Sequence, residues 1–127
     1  MNQKIRLFMA IELPDVVKDV LAETAVRLSK NVLDPAVRWV DRAQMHLTLR
    51  FLGDTAVAQL PALQDQLTQL TAHYSAFQLR LDGLGAFPNR QRPRVVWVGL
   101  AGDLAVLQSM QVDLEERVVK LGWPREE

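Results

Sequence analysis

With 127 residues the chain fits one ordinary domain, long enough to bury roughly two-thirds of the surface its unfolded form exposes. Fifteen basic and fifteen acidic residues cancel, which excludes a protein that wraps duplex nucleic acid by charge alone; any RNA contact has to be local. The absence of cysteine excludes a disulfide framework, a thiolate metal site and a cysteine nucleophile, and it fits a reducing, cytoplasmic setting. The opening MNQKIRLFMAIELP carries one short apolar run broken by Arg6 and Glu12, too short to cross a bilayer. A soluble protein is expected, with no membrane partner.

In chain order, Ile5 to Leu13 is rich in β-formers and reads as a central strand, and Pro14 stands where a helix can open. Val17, Val20, Leu21, Ala25 and Leu28 then recur with a 3.6-residue period, predicting an amphipathic helix from Asp15 to about Asn31. Val37 to Val40 reads as a short strand. Met45 to Leu52 alternates His46, Thr48 and Arg50 on one face with Leu47, Leu49 and Phe51 on the other, a strand that Gly53 and Asp54 should end. Leu60, Leu63, Leu67, Leu70 and Tyr74 predict a second helix, with Pro61 tolerable in its first turn. Phe77 to Asp82 and VVWVGL predict two strands joined by the glycine-, proline- and arginine-rich GLGAFPNRQRPR. Asp103 is expected to N-cap a third helix through Leu104, Leu107, Met110, Leu114, Val118 and Leu121, stopped by Gly122 and Pro124.

This order predicts an α+β fold, with helices packed outside a curved, largely antiparallel sheet, in a single domain over residues 1–127. Phe8, Ile11, Leu47, Leu49, Phe51, Val96 and Val98 are expected to line the sheet core, and His46 and Thr48 to project together into a concave, wetter face.

The chemistry sits in MHLTLRFLGD, residues 45–54. Alternate residues of a strand share a face, so an imidazole and a hydroxyl two positions apart point together into a cleft while Leu47 and Leu49 lock the strand down. An isolated H-x-T triplet is common. Here it follows RLFMAIELP at 6–14 and precedes LDGLGAFPN at 81–89 and RVVWVGL at 94–100, and these landmarks, in this order, resemble the two-histidine (2H) phosphoesterases, in particular the RNA 2',3'-cyclic phosphodiesterase or 2'-5' RNA ligase family. The trailing F-L-G argues against the cyclic nucleotide and U6-type branches.

The resemblance implies a bilobal fold in which each lobe donates one H-x-T-x motif to a central cleft. It implies no metal and no other cofactor. The implied reaction opens RNA 2',3'-cyclic phosphates to 2'-phosphates, and some members join tRNA halves through a 2'-5' bond without ATP. It assigns His46 as the acid that protonates the leaving ribose oxygen and Thr48 as a hydrogen-bond donor to a phosphate oxygen.

The second H-x-T-x motif should follow the third helix, and up to Glu127 none appears. The chain therefore reads as the N-terminal portion of such a protein, weak or inactive alone, with an open sheet edge inclined to self-association. The alternative is a non-catalytic lobe that binds RNA or another partner. His73, in His73-Tyr74-Ser75, formally fits H-x-[TS] but falls at a helix end and reads as a helix-terminal histidine near the C-terminal dipole. Arg50 shares the His46 face and is a candidate phosphate contact, though a solvated strand-end arginine is the commoner meaning. Arg90, Arg92 and Arg94 stand in the same balance. Phe8 and Trp97 are candidate base-stacking residues, weighed against burial in the core.

Overall fold

The structure, a computed structural model, describes residues 3–30, 38–87, 91 and 95–126. Among the described residues the main elements follow in the order β1 (Lys4–Glu12), α1 (Asp15–Ser29), β2 (His46–Ala56), α2 (Leu60–Ala72), β3 (Leu79–Phe87), β4 (Val95–Gly102) and α3 (Leu104–Lys120). The class is α+β, as expected. These strands divide into two two-stranded sheets, β1 with β2 and β3 with β4. Val57 N–H donates to the Gln3 carbonyl at 2.9 Å, bringing the end of β2 to the start of β1 and making that ladder antiparallel.

The expected strand at 37–40 does not form: Val37 lies outside the described residues, 38–40 are irregular, and a 3-10 turn at Arg42–Gln44 leads into β2. β2 also outruns its expected end. Gly53 adopts a φ of 71°, open to glycine at no steric cost, so the chain bends there and the strand continues to Ala56.

By compactness the chain separates into two units: residues 1–11, 48–79 and 102–127, and residues 12–47 and 80–101. The first unit holds the core of Met9, Leu52, Leu63, Leu70, Met110, Leu114 and Val118, with Leu7, Leu49, Leu67, Tyr74, Phe77, Leu121 and Trp123 packed against it. Most of these are the helical repeats read from the sequence: Leu63 and Leu70 from α2, Met110, Leu114 and Val118 from α3. The strand contributions differ from expectation. Phe8 is 46% and Phe51 61% exposed, their rings 6.1 Å apart on the side opposite Met9 and Leu52. Ile11, Leu47, Val96 and Val98 are only half-buried, while Leu49, half-buried too, packs against the core as expected. The cause is the phase of β2. Its even-numbered face, which begins with the polar His46 and Thr48, becomes the buried face at Arg50 and Leu52.

α3 ends in a Schellman motif. Trp123 N–H donates to the Val118 carbonyl (3.3 Å) and Gly122 N–H to that of Val119 (3.0 Å), with Gly122 at φ 115°. This turn returns Trp123 to the core, where its indole Nε1–H donates to the Leu52 carbonyl at 3.2 Å. At the other end of α3 the expected N-cap differs: the Asp103 carboxylate makes no capping bond and accepts the Gln78 N–H at 2.9 Å, while Asp103 N–H donates to the Gln78 carbonyl. The pair closes the open end of the β3–β4 hairpin.

Arg50 is the buried charge among the described residues, 6% exposed, which corrects its reading as a solvated strand-end residue. Its Nε donates to Glu115 Oε2 of α3 at 2.6 Å, and its remaining donors reach the carbonyls of Phe51 and Pro124, with Glu126 at 3.5 Å. The Arg50 hydrogen bond holds the Glu115 carboxyl below its usual range against the opposing effect of burial, and the Glu126 N–H assists. A guanidinium has five donors and no acceptor, so only a cage of oxygens of this kind permits its burial.

This packing can be tested at two points. Leu114→Ala should cost about 2–5 kcal/mol in denaturant unfolding, whereas Phe51→Ser should stay within about 0.5 kcal/mol, as at other exposed sites; equal losses would contradict the core described. Because Glu115 is depressed in the folded state, its contribution is complete above the ordinary value of 4.5 and is lost as pH falls through the lower folded value. Glu115→Gln should therefore flatten the acid limb of the stability curve, and a slope unchanged from the parent would refute the link.

Candidate active site

The site is built on β2. His46 is its first residue and Thr48 its third, both half-buried, and strand alternation puts the two side chains on one face. The 3-10 turn at Arg42–Gln44 delivers the chain to His46, closed by Gln44 N–H to the Asp41 carbonyl (2.9 Å) and Met45 N–H to that of Arg42 (3.2 Å).

This turn is itself fixed by α1. Arg42 Nε donates to Asp19 Oδ1 at 2.7 Å, and its Nη2 to Asp15 Oδ1 at 3.3 Å and to the Asp15 carbonyl at 3.2 Å. These carboxylates, Asp19 first, raise the Arg42 pKa above its usual value. One turn along the helix, Lys18 forms an ion pair with Glu12, the last residue of β1. The Glu12 carboxyl is held below its usual range, chiefly by the Lys18 hydrogen bond and charge, with a smaller contribution from the charge of His46. None of these charged partners stood out in the sequence as functional. The available signal was the helical spacing of Asp15, Lys18 and Asp19, which puts them near one face of α1.

Thr48 opens onto a cleft of about 510 Å³ in the first unit, lined also by Arg50, Gln111, Glu115, Arg125 and Glu126. Its charges are mutually satisfied: Arg50 is held by Glu115, and Arg125 Nη1 donates to Glu116 Oε1 at 2.7 Å. Arg50 thus reaches the neighbourhood of Thr48 with its guanidinium already engaged.

The stacking candidates are both half-exposed, against their reading as buried core. Phe8 lies beside Phe51. Trp97, 50% exposed on β4, rests its ring over Gly85 of β3, where a Cβ would fall 1.9 Å from Cζ2. The cross-strand glycine is what frees the indole to lie on the sheet. Arg90, Arg92 and Arg94 lie outside the described residues. His73 is the exposed C-cap of α2, its own N–H bonded to the Leu70 carbonyl, with Tyr74 N–H bonded to that of Thr71. No described helix is long and apolar enough to cross a membrane.

Comparison with known proteins gives the family and the fold. A model of the LigT like Phosphoesterase family matches residues 11–97. The RNA 2',3'-cyclic phosphodiesterase of Archaeoglobus fulgidus is 32% identical over 124 residues, 96% of this chain and 66% of that protein. Its namesakes in Methanothermobacter thermautotrophicus and Thermus thermophilus are 28% and 37% identical, covering 94% and 88% of this chain and 64% and 56% of their own lengths. The chain thus spans about two-thirds or less of these relatives.

Among solved structures, E. coli LigT complexed with 3'-AMP superposes with a TM-score of 0.70 at 26% identity, over 98% of this chain and 69% of that one. The protein TT0787 of Thermus thermophilus gives 0.67 at 29%, over 93% and 62%. The family match takes in all of β2 with its H-x-T-x motif, and the fold superposes on that of LigT over nearly its whole length: the chain belongs to the LigT-like phosphoesterase family.

Proposed function

We propose that this chain supplies one half of the active site of an RNA 2',3'-cyclic phosphodiesterase that opens cyclic phosphate ends to 2'-phosphates in the cytoplasm. The observation that carries the reading is the placement of His46 and Thr48 on one face at the head of β2 in a chain of this family. Opening the ring requires one group to take a proton from water as it attacks phosphorus and another to give a proton to the departing ribose 3'-oxygen. An imidazole can serve either role near neutral pH. His46 is the acid. Thr48 donates its hydroxyl hydrogen to a non-bridging phosphate oxygen, where charge accumulates in the transition state. If a 5'-hydroxyl replaces water as the nucleophile, the same proton transfers join two RNA ends through a 2'-5' bond, so ligation of tRNA halves needs no ATP and no further group.

The base is a second histidine, outside the His46 strand. His73 does not meet that need, being the exposed cap of a helix. A base from a second H-x-T-x motif completes the site. Phe8 and Trp97 are the aromatic surfaces available to bases of the RNA, and Arg50 serves the phosphate only through the order it gives β2.

The test is hydrolysis of a short RNA ending in a 2',3'-cyclic phosphate, with products separated into 2'- and 3'-phosphates. The 127-residue polypeptide should turn over about 10²–10⁴-fold more slowly than a relative carrying two motifs, the worth of one proton-transfer group. In a protein carrying both motifs, His46→Ala should lower kcat by a similar factor and Thr48→Ala by about 10²–10³-fold. Full activity in His46→Ala, or a 3'-phosphate product, would overturn the reading.

A further inference from the structure

The charges around the head of β2 do more than hold a surface together. We propose that α1 is the positioning element for the His46 imidazole, acting through Arg42 on the backbone that delivers His46 and through Glu12 at the strand end beside it. The inference deepens the functional reading and rests on His46 as its acid.

Three observations converge. First, Arg42 is bound by one turn of α1 through its Nε and Nη2, to two carboxylates and a backbone carbonyl. Arg42 is also the residue whose carbonyl accepts the Met45 N–H, so the clamp acts on the Gln44–Met45 peptide unit, one residue ahead of His46. Second, Glu12 closes β1 where His46 opens β2, in strands that pair with each other. Third, Glu12 is 74% exposed and would swing freely by itself, but Lys18, whose side chain is only 12% exposed, holds it. A side chain that well covered is a fixed anchor.

Surface ion pairs contribute little to stability, and nothing in this cluster packs a core: α1 has no buried residue. What such pairs can supply is geometry. A proton donor of this kind must be held in one orientation, with one ring nitrogen giving up its proton and the other keeping it, which leaves a single tautomer of the neutral ring; a carboxylate beside an imidazole is the usual means of fixing both. Arg42 sets where the imidazole stands, and Glu12 biases which nitrogen keeps its proton when the other gives one up. Both are positioning residues; neither touches substrate.

The chain has two histidines, which makes the test clean. Proton–nitrogen correlation spectra of the imidazole rings, assigned with His73→Gln, read the tautomer and mobility of His46 at fixed pH without any turnover. Glu12→Gln should shift the His46 nitrogen resonances toward the other tautomer and leave those of His73 in place. Arg42→Lys keeps the charge but loses the fork, and it should broaden or split the His46 signals, as should Asp15→Asn with Asp19→Asn. All three variants change exposed side chains, and circular dichroism reports whether each is folded. His46 resonances identical to the parent in folded Glu12→Gln and Arg42→Lys would overturn the inference. Equal changes at both histidines would overturn it too, since they would mark a general structural effect. The spectra judge positioning alone; the role of His46 in hydrolysis stands or falls with His46→Ala in the assay above.

Discussion

The period-two geometry of β2 constrains everything else. One face of one strand carries His46, Thr48, Arg50 and Leu52 in succession. It must present chemistry at its head and pack a core at its tail within four steps. Arg50 sits at the changeover, and burying a guanidinium in the middle of that face is tolerable only because Glu115 and the carbonyls of Phe51 and Pro124 take up its donors. The ion pair spans the ladder from β2 to α3, and Trp123 adds a second link from the end of α3 to the Leu52 carbonyl. These contacts fix the strand beyond His46 and Thr48, which is what the proposed site, tolerant of only small misplacements, demands.

Charge does different work at the two ends of β2. At Arg50 it is buried, fully bonded and part of the packing. At the head it is exposed and contributes little to stability, and its effect is on position: Arg42 between two aspartates, and Glu12 under Lys18. A strand anchored by packing at one end and by ion pairs at the other can be precise without burying the residues at its head, and the catalytic role proposed for His46 and Thr48 needs them wet enough to exchange protons with water.

The helices were legible because their periodicity is a property of sequence alone: Leu63, Leu70, Met110, Leu114 and Val118 fall on the stripes they should. The H-x-T-x strand was legible through its alternation and its neighbours in the chain. What misled was amphipathicity in a strand that packs from both faces, Leu49 from one and Arg50 and Leu52 from the other. Phe8 and Phe51 look like core, and Arg50 looks solvated, until Glu115, distant in sequence, is brought to it. The strand expected at 37–40 failed for a related reason, since β-propensity over four residues does not supply a partner strand. The Asp103 carboxylate was expected to cap its own helix; a competing backbone N–H from Gln78 claimed it. Each miss is a long-range partner that local pattern cannot see.

If the head of β2 is the place where a 2'-phosphate is held, binding tests that more directly than turnover, because binding does not require the second histidine. Titration of the isotopically labelled chain with a 2'-nucleotide, the product of the proposed reaction, reads this residue by residue. The expected result is saturable shifts centred on the His46 ring and the Thr48 amide, lost in His46→Ala with the remaining spectrum intact. Shifts centred on His73 or the β3–β4 hairpin, with His46 and Thr48 unmoved, would contradict it.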